Sequence, residues 1–331
     1  MTESQMSYQA YEHIGLALDP IHVGTGGNRL GRVDNTIIRD PVTKIPKIPG
    51  SSLAGVLRTY VAMSENKYPD CAGQGQPRKD GTGGHCGQNN CPVCTTFGFA
   101  KGNNGGFAGL ASFNDMHVLL FPVATCEGPF WVTAPIALRQ IEELKNISDL
   151  PDSNSVYCID SENNKNSINF GWLLLPKKSG WNSMDCVKNN FKKILPENMI
   201  LGNIAVVSDK LFSHIVNSNL EVRTSVSINP ATGAAEDGAL FTYEALPRGT
   251  ILHWIVICRN PNHFKIDNHI IASAQEPRGV HEYLKKTYPY LEYLGIGGMT
   301  NRGMGRLRVL NDNISGNIGT KVENDNSQME R

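Results

Sequence analysis

The sequence predicts a mixed α+β protein, and three features support this fold class. Runs dominated by aromatic and aliphatic residues, which are typical of strands, recur along the chain. A segment with apolar residues at helical spacing follows the first of these runs, and a second helical pattern lies near the C-terminal end. Glycine-rich stretches separate the periodic segments and indicate turns. With 331 residues, 40% of them hydrophobic, the chain can bury a substantial core.

The predicted elements follow in chain order. Residues 11–24 (YEHIGLALDPIHVG) predict an opening strand that Pro20 interrupts, and residues 48–63 predict a helix with Ser51 or Ser52 as its N-cap. Further strands are predicted at 110–124, 170–176, 220–228, 240–246 and 251–259. A helix from about Asn268 to Tyr288 precedes a glycine-rich segment. The polar residues 311–331 predict a disordered tail.

Composition and charge exclude several classes of protein. The N-terminal stretch has no basic region followed by an apolar run, and no 18 consecutive residues are apolar, so we expect neither export nor a membrane span. The 8 cysteines are therefore expected to be reduced or metal-bound, in a cytoplasmic protein. Because 31 basic residues balance 31 acidic ones, any site for nucleic acid must be local.

Cysteines cluster in a segment that has almost no periodic apolar residues. Cys86, Cys91 and Cys94 lie in HCGQNNCPVC, with Cys71 upstream and His85 adjacent. Thiolates at this spacing can converge on one tetrahedral zinc ion, with Cys71 or His85 as the fourth ligand. Such a closed ligand set predicts structural zinc, and the alternative is a group of free thiols. The other cysteines occur singly and are expected to be core or surface thiols.

Two glycine-rich segments carry an excess of basic residues. Between Arg29 and Arg58 there are six basic residues against two acidic ones, Asp34 and Asp40. The segment MTNRGMGRLR carries three arginines and no acid. Bare backbone N–H groups and a helix N-terminus in such segments can hold phosphates, although each segment can also be an ordinary turn. The sequence contains no P-loop motif, and the glycines at 297–305 lack the βαβ context of a dinucleotide site.

Taken together, these segments resemble the RAMP superfamily of CRISPR proteins, and within it the repeated backbone subunit of the type III-B Cmr effector complex. The resemblance runs from about residue 10 to 310 and is carried by HVGTG…GRVDNTIIRD, KIPGSSLAGVLR, CPVCTTFG, VLLFPV…FWVTAP, INFGWLLLP, VRTSVSINPATGAAEDGALFTYEALP and GGMTNRGMGR. The glycine- and asparagine-rich insertion is also similar to that of the type III-A counterpart, which leaves the subtype open.

The resemblance implies a fold and an assembly. It implies one palm domain of ferredoxin-like, RNA-recognition type over residues 8–310, with a zinc-binding insertion at 67–106 and a β-hairpin thumb at 214–245. It also implies copies of the chain in a filament along a CRISPR RNA (crRNA), with complementary target RNA, a large subunit, a small subunit and other RAMP subunits as partners. The thumb would wedge into the guide–target duplex, although an ordinary surface hairpin is the alternative.

The resemblance assigns catalysis to Asp34, which matches the aspartate that the family uses to cut target RNA. A carboxylate among glycines can recruit a divalent cation such as Mg²⁺ or Mn²⁺ and assist attack by a ribose 2′-hydroxyl. His22, in the same loop, can support proton transfer or be a core or turn histidine. Asp34 itself can alternatively be a turn residue.

The resemblance also places RNA contacts in two regions. Guide phosphates are expected at Lys47, Ser51, Ser52, Arg58 and Arg223, and across the groove at Gly297, Gly298, Thr300, Asn301, Arg302 and Gly303. Relatives often have lysine where this chain has Ala54, so one phosphate contact is missing or moved. Two other functions stay open: a structural crRNA-binding subunit that does not cleave, and a guide-processing ribonuclease that acts alone.

Overall fold

The computed structural model describes residues 6–26, 33–73, 84–100, 106–159, 166–195 and 198–311. The strands are β1 Tyr8–Ala17, β2 Lys47–Ile48, β3 Phe99–Ala100, β4 Gly106–Phe107, β5 Ala111–Phe113, β6 Met116–Thr125, β7 Gly128–Thr133, β8 Val156–Cys158, β9 Ser167–Phe170, β10 Leu173–Lys178, β11 Ile204–Val206, β12 Glu221–Ile228, β13 Ala235–Ala245, β14 Ile251–Arg259, β15 Lys265–Ile266, β16 His269–Ile270 and β17 Leu307–Val309. The helices are α1 Gly50–Ser64, α2 Pro92–Phe97, α3 Pro135–Leu138, α4 Met184–Ile194, α5 Asn198–Leu201, α6 Asp209–Ser218, α7 Pro277–Lys285 and α8 Tyr288–Tyr293. This content confirms the prediction of a mixed α+β protein.

One large mixed sheet organises the described part of the chain. It contains eleven of the described strands, in the order β17-β1-β14-β6-β7-β11-β8-β10-β9, with β2 added to β6 and β5 added to β14. β1 is antiparallel to both of its neighbours, β14 and β17, and β14 is antiparallel to β6. Along the chain, α1 lies between β1 and β6, and α7 and α8 lie between β14 and β17. Two β-α-β crossovers therefore interleave in the central sheet.

The sheet is buried on both faces. Neighbouring residues of one strand enter different hydrophobic clusters: Val118 belongs to one cluster and Leu119 to the other. The same alternation separates Val132 from Trp131, as expected for side chains that point to opposite faces of a strand. Leu53 of α1, with α7 and α8, packs in the first cluster, while α4 packs in the second. The helices thus cover two sides of a central layer.

The hairpin of β12 and β13 stands outside this sheet. Its two strands pair only with each other among the described strands, and their tips are exposed. Val222, Val226, Leu240 and Phe241 are exposed, so these hairpin residues do not enter a core. The hairpin begins at Glu221, and residues 214–218 belong to α6, which Ser208 caps through its hydroxyl oxygen.

Helix boundaries differ from the sequence-based expectations at two places. The N-cap of α1 is Pro49 instead of a serine, because Asp115 accepts the N–H of Gly50 at 2.8 Å and supplies the missing acceptor. A Cβ at Gly50 would come within 2.3 Å of the carbonyl oxygen of Phe113, so this close approach requires glycine. The helix expected from about residue 268 is two shorter helices, α7 and α8, and the first begins at Pro277, a residue favoured at that position.

The C-terminal boundary also shifts by one residue. Asn311, expected in the tail, pairs with β1: its side chain accepts from the N–H of Ile14 at 2.9 Å and donates to the carbonyl of Glu12 at 2.7 Å. The rest of the predicted tail, residues 312–331, lies outside the described residues. Within the described ranges, no helix is long and apolar enough to cross a membrane.

Two buried histidines meet where β1 packs on α7 and α8. The Nε2 atoms of His13 and His281 are 3.0 Å apart, and the hydroxyl of Tyr288 lies 3.2 Å from His281 Nε2. Burial, together with the charge of Lys285, lowers the pKa of His281 to about 3, and burial also lowers the pKa of His13 well below its usual value. Both rings are therefore neutral in the folded protein at pH 7.

We expect this pair to make stability depend on pH. In the unfolded chain the histidines titrate near about 6.5, so below that pH the unfolded state binds more protons than the folded state. The stabilisation is complete above pH ~6.5 and falls by up to about 1.4 kcal/mol per pH unit for each histidine as the pH drops towards their folded pKa values. Urea unfolding at pH 7.5, 6.5 and 5.5 gives the free energy of unfolding at each pH. For His281→Gln this free energy should change less steeply with pH than it does for wild type. His269→Gln, at an exposed histidine, should keep the wild-type pH dependence of the free energy, and an equal pH dependence in both variants would contradict the expectation.

Candidate functional site

The loop that carries Asp34 is closed by backbone pairing. Gly24 and Ile37 form an antiparallel bridge, and the N–H of Thr25 donates to the carbonyl of Thr36 at 3.1 Å. The loop therefore leaves and re-enters the fold at one place. Its residues 27–32, which include Arg29 and Arg32, lie outside the described residues.

Asp34 lies at the base of the β12–β13 hairpin. Its Oδ2 accepts two hydrogen bonds from Thr242, one from the backbone N–H at 2.9 Å and one from the hydroxyl at 2.8 Å. The N–H of Asp34 in turn donates to the same hydroxyl at 2.9 Å. Among the described residues, no hydrogen bond to Asp34 Oδ1 is present, and the residue is half-buried. One carboxylate oxygen is thus fixed by Thr242.

Hydrogen bonding also fixes the charge of this carboxylate. The backbone N–H of Thr242, and then its hydroxyl, lower the pKa of Asp34 below the ordinary value. Asp34 is therefore ionised at neutral pH. An ionised carboxylate oxygen is a ligand that Mg²⁺ and Mn²⁺ prefer.

Glu244, a buried acid that the sequence analysis missed, binds the segment that follows Asp34. Glu244 Oε2 accepts from the N–H of Ile37 at 3.1 Å, and Oε1 forms an ion pair with Arg39 at 2.6 Å. Arg39 also donates to the carbonyl of Ile37 at 3.0 Å and to Asn217 at 2.9 Å. Glu244 and Thr242 are two residues apart in β13 and so share one face, and this period was the signal that sequence reasoning could have used.

His22 connects the same hairpin to the glycine-rich C-terminal segment. Its Nδ1 lies 2.6 Å from the carbonyl oxygen of Glu244, so this nitrogen carries a proton and donates it to that carbonyl. The carbonyl of His22 accepts from the N–H of Gly298 at 2.8 Å. At Gly297 φ is +89°, and a Cβ there would come within 2.4 Å of the carbonyl oxygen of His22. The ring is buried and stands edge-on to Tyr243.

The structure brings Arg223 to the residues expected across the groove. Its Nη1 donates to the carbonyl of Gly303 at 3.0 Å, and its Nε donates to Glu221 at 2.7 Å. Thr300, Asn301 and Arg302 form an exposed 3₁₀ turn beside this contact. Among the described acids, none pairs with Arg302. The loop around Asp34, the hairpin base and residues 297–303 are thus one continuous surface.

The expected contacts around α1 divide into two groups. Ser51 is exposed and Ser52 is half-buried in the first turn of α1, where the N–H of Gly50 donates to Asp115 at 2.8 Å and the N–H of Ser52 donates to the carbonyl of Pro49 at 2.9 Å. Lys47 forms an ion pair with Asp115 at 2.7 Å and lies 3.8 Å from Asp40. Arg58 points elsewhere: its guanidinium donates to the carbonyls of Cys71 and Gly98, each at 2.8 Å. The expectation of a phosphate contact at Arg58 therefore disagrees with this geometry.

Four cysteine thiols converge next to Arg58. The sulfur atoms of Cys71, Cys86, Cys91 and Cys94 all lie within 4.8 Å of one another. Cys86 Sγ is 3.7 Å from Cys94 Sγ, and Cys91 Sγ is 4.0 Å from Cys71 Sγ. Tetrahedral zinc with Zn–S bonds of about 2.3 Å separates its sulfur ligands by about 3.8 Å. These four cysteines can therefore hold a metal ion such as zinc.

His85, the alternative fourth ligand, lies outside this sulfur group. Its Nδ1 is 2.9 Å from Arg58 Nη2, and burial and the Arg58 charge lower its pKa.

Hydrogen bonding from Cys94 and from backbone N–H groups lowers the pKa of Cys91 to about 5, whereas burial raises the pKa of Cys71 to about 11. A thiolate at Cys91 suits a metal ligand, and the cation of Arg58 lies beside the cluster.

Comparison with known proteins gives the family. The family model described as "RAMP superfamily" matches residues 16–308, most of the chain. The chain belongs to the RAMP superfamily. The resemblance seen in the sequence is thereby confirmed, and its motifs lie within the matched range.

Curated relatives of this RAMP protein carry names that describe an activity. "CRISPR system Cmr endoribonuclease Cmr4" from Pyrococcus furiosus is 26% identical over 325 residues, which are 94% of this chain and 98% of the relative. "CRISPR system Cms endoribonuclease Csm3" from Methanothermobacter thermautotrophicus is 35% identical over 88 residues, 27% of this chain and 28% of the relative. This RAMP protein is thus a homologue of the named endoribonuclease Cmr4 over nearly its whole length, and it matches Csm3 over 27% of the chain.

Solved structures show the same fold. "Cryo-EM structure of the Type III-B Cmr-beta bound to cognate target RNA" contains a chain that superposes with a TM-score of 0.61 at 18% identity, covering 93% of this chain and 100% of that one. "Crystal structure of oligomeric Cmr4 from Pyrococcus furiosus" superposes with a TM-score of 0.57 at 20% identity, covering 92% and 98%. At these identities the likeness establishes the fold alone.

Proposed function

We propose that this RAMP protein is the repeated backbone subunit of a type III CRISPR effector complex and cleaves the target RNA that pairs with its crRNA. The observation that carries the proposal is the Asp34 carboxylate, ionised and held by Thr242 at the base of the exposed β12–β13 hairpin. The names of Cmr4 and Csm3 as endoribonucleases support it. The full-length match to Cmr4 favours type III-B over the subtype of Csm3, which matches only 27% of the chain.

The topology supports the palm and thumb of this proposal. The strand order β17-β1-β14-β6, with α1 in one crossover and α7 and α8 in the other, is the arrangement expected of a ferredoxin-like palm. We assign the palm to residues 8–310, the insertion to residues 67–106 and the thumb to the hairpin 221–245. Exposed Val226, Leu240 and Phe241 on this hairpin suit a wedge that stacks against bases and displaces a base pair.

The proposed reaction is an internal transfer within the target strand. The ribose 2′-oxygen attacks the adjacent phosphorus, the P–O5′ bond breaks, the 2′-hydroxyl loses its proton and the leaving O5′ gains one. The products are a 2′,3′-cyclic phosphate and a free 5′-hydroxyl. We assign His22 to proton transfer because Nδ1–H donates to the carbonyl of Glu244, which leaves Nε2 as the nitrogen that would exchange a proton.

The Asp34 site fits a divalent cation. Oδ2 is taken by Thr242, and Oδ1 has no hydrogen-bond partner among the described residues, so one ionised oxygen is available as a ligand. Bound Mg²⁺ or Mn²⁺ would supply charge stabilisation at the scissile phosphate. The residue that would hold it is Asp34, and phosphate oxygens and water would complete the coordination.

The proposed guide groove uses the backbone of the RNA. Ser51 and Ser52, at the first turn of α1, and residues 297–303 are the contacts we retain, together with Arg223, which donates to the carbonyl of Gly303. Lys47 would have to exchange Asp115 for a phosphate, and Arg58 is left out because it is bound at the cysteine cluster. Such contacts read phosphates and sugars, which suits a subunit that accepts any guide sequence.

We expect Arg302→Ala to weaken crRNA binding by a similar factor for every guide sequence. The exposed guanidinium meets phosphate, so its loss should reduce the slope of log affinity against log salt by about 0.7 to 1. Arg278→Ala, which removes an exposed arginine on α7, is the matched control and should leave both quantities unchanged. Filter binding with two unrelated guides at 50, 100 and 200 mM salt measures this. A loss restricted to one guide would contradict a phosphate contact.

We further propose that the cysteine cluster holds one structural zinc ion. The sulfur–sulfur distances of 3.7 and 4.0 Å match a tetrahedral shell, and four protein ligands leave no open position for catalysis.

The proposed protein partners are copies of this chain, other RAMP subunits, a large subunit and a small subunit. The proposed location is the cytoplasm.

The experiment that tests the proposed function compares cleavage of complementary target RNA by wild-type and Asp34→Asn complexes. The two alternative functions are outcomes of the same experiment. An assembled wild-type complex that cuts no target in any divalent cation would indicate a structural subunit. A lone subunit that cuts hairpin precursor RNA would indicate guide processing.

A further inference from the structure

Thr242 contacts Asp34 through three hydrogen bonds. Its backbone N–H and hydroxyl both donate to Oδ2, and its hydroxyl also accepts the N–H of Asp34. We propose that Thr242 is a positioning residue, which orients the Asp34 carboxylate so that Oδ1 can bind a divalent cation. This inference rests on the proposed function, in which Asp34 recruits that cation.

The geometry gives the hydroxyl a specific part in this orientation. A carboxylate held by one hydrogen bond can still rotate about its Cβ–Cγ bond, whereas two donors on Oδ2, at 2.9 and 2.8 Å, define both the plane and the side that it presents. The backbone N–H stays in any variant, so the side chain supplies the second constraint. Threonine is suited to this part because it is stiff at χ1 and common in strands.

Asp34 is also joined to the hairpin through the backbone. The N–H of Asn35 donates to the carbonyl of Thr242 at 3.0 Å, and the N–H of Glu244 donates to the carbonyl of Asn35 at 3.0 Å. Asn35 therefore pairs with β13 as a short parallel neighbour, which joins the residue after Asp34 to the hairpin. Because the hairpin is the proposed wedge, its position in the RNA duplex would also determine the position of the Asp34 carboxylate.

The test measures cation binding directly as well as cleavage. Assembled complexes carry crRNA and a target with 2′-deoxyribose at the scissile positions, so that no cleavage occurs. Electron paramagnetic resonance of free Mn²⁺ then gives the affinity of the sites that Asp34→Asn removes. For Thr242→Val and Thr242→Ala we expect about 10- to 100-fold weaker Mn²⁺ binding at these sites, the usual effect of losing a residue that orients a metal ligand. Thr242→Ser, which keeps the hydroxyl, should stay near wild type.

Cleavage assays on the ordinary target complete the design. In the Val and Ala variants the cation concentration for half-maximal rate should rise by a similar factor, while target RNA affinity stays unchanged. Thr125→Val removes a threonine hydroxyl that donates to Gly128 in the β6–β7 turn, and serves as the matched control with wild-type behaviour. Measuring both Val and Ala guards against a defect specific to one side chain.

The possible outcomes separate this inference from the proposed function. If Asp34→Asn abolishes cleavage but Thr242→Val and Thr242→Ala keep the wild-type Mn²⁺ affinity, positioning by Thr242 is wrong and the function of Asp34 stands. Weakened cleavage that follows only a loss of target RNA affinity would also overturn the positioning role. If Asp34→Asn retains cleavage, the proposed function itself fails.

Discussion

Asp34→Asn is expected to reduce target RNA cleavage by about 100-fold or more, because the carboxylate supplies several kcal/mol of stabilisation through its cation and each 1.36 kcal/mol is about a factor of ten in rate. The amide keeps the size of the side chain and can still accept from Thr242 through its oxygen. It lacks the charge that a divalent cation needs. Folding, filament assembly and target binding should therefore remain near wild type.

The measurement is single-turnover cleavage of a labelled target at saturating complex and Mg²⁺ or Mn²⁺. Wild-type products should end in cyclic phosphate and be spaced at the subunit repeat, and a chelator should mimic the substitution. Asp70→Asn, an exposed acid outside the loop, is the matched control for loss of a carboxylate. Asparagine is also a good turn residue, so the alternative in which Asp34 only shapes a turn predicts full activity. Cutting at the wild-type rate would remove Asp34 from the mechanism.

Cys91→Ser is expected to cause the largest loss of stability. Cys91 is buried and shares the cluster with three other thiols, so serine should lower the zinc content from about one ion per chain to nearly none. Without the ion, the segments around residues 67–73 and 84–100 should lose one of the contacts that join them, beside the hydrogen bond from the N–H of Cys71 to the carbonyl of Gly84. The free energy of unfolding should fall by roughly 3–5 kcal/mol, a size reserved for changes such as the loss of a metal site.

Elemental analysis and urea unfolding of the two proteins measure this expectation. Cys126→Ser, at an exposed cysteine outside the cluster, should keep both the metal and the stability. Limited proteolysis should find new cleavage near residues 67–100 in the Cys91→Ser protein and not in the control. Wild-type protein that is free of metal and as stable as the zinc-loaded form would contradict a structural zinc site.

The fourth ligand of the cluster shows where local sequence stops being sufficient. The spacing of Cys86, Cys91 and Cys94 brings three thiols together within one short turn, so this part was predictable. The choice between Cys71 and His85 depended on Arg58 of α1, which donates hydrogen bonds to the His85 ring and to the carbonyl of Cys71. That partner lies on another element, and no spacing in the cysteine segment encodes it.

The candidate catalytic residue, Asp34, also shows which features local sequence predicts and which depend on the tertiary structure. The sequence alone singled out Asp34, a carboxylate among glycines and basic residues, and periodic apolar residues predicted α1 and β14, but they did not predict α4 or α6. Only the tertiary structure brought Thr242, 208 residues away, onto its carboxylate, and only it placed Glu244 against Arg39. Local patterns determine which residues can form an element or carry a charge, because those properties depend on near neighbours. Hydrogen-bond partners distant in the chain are decided when the hairpin packs against the loop, because packing sets which donors meet which acceptors.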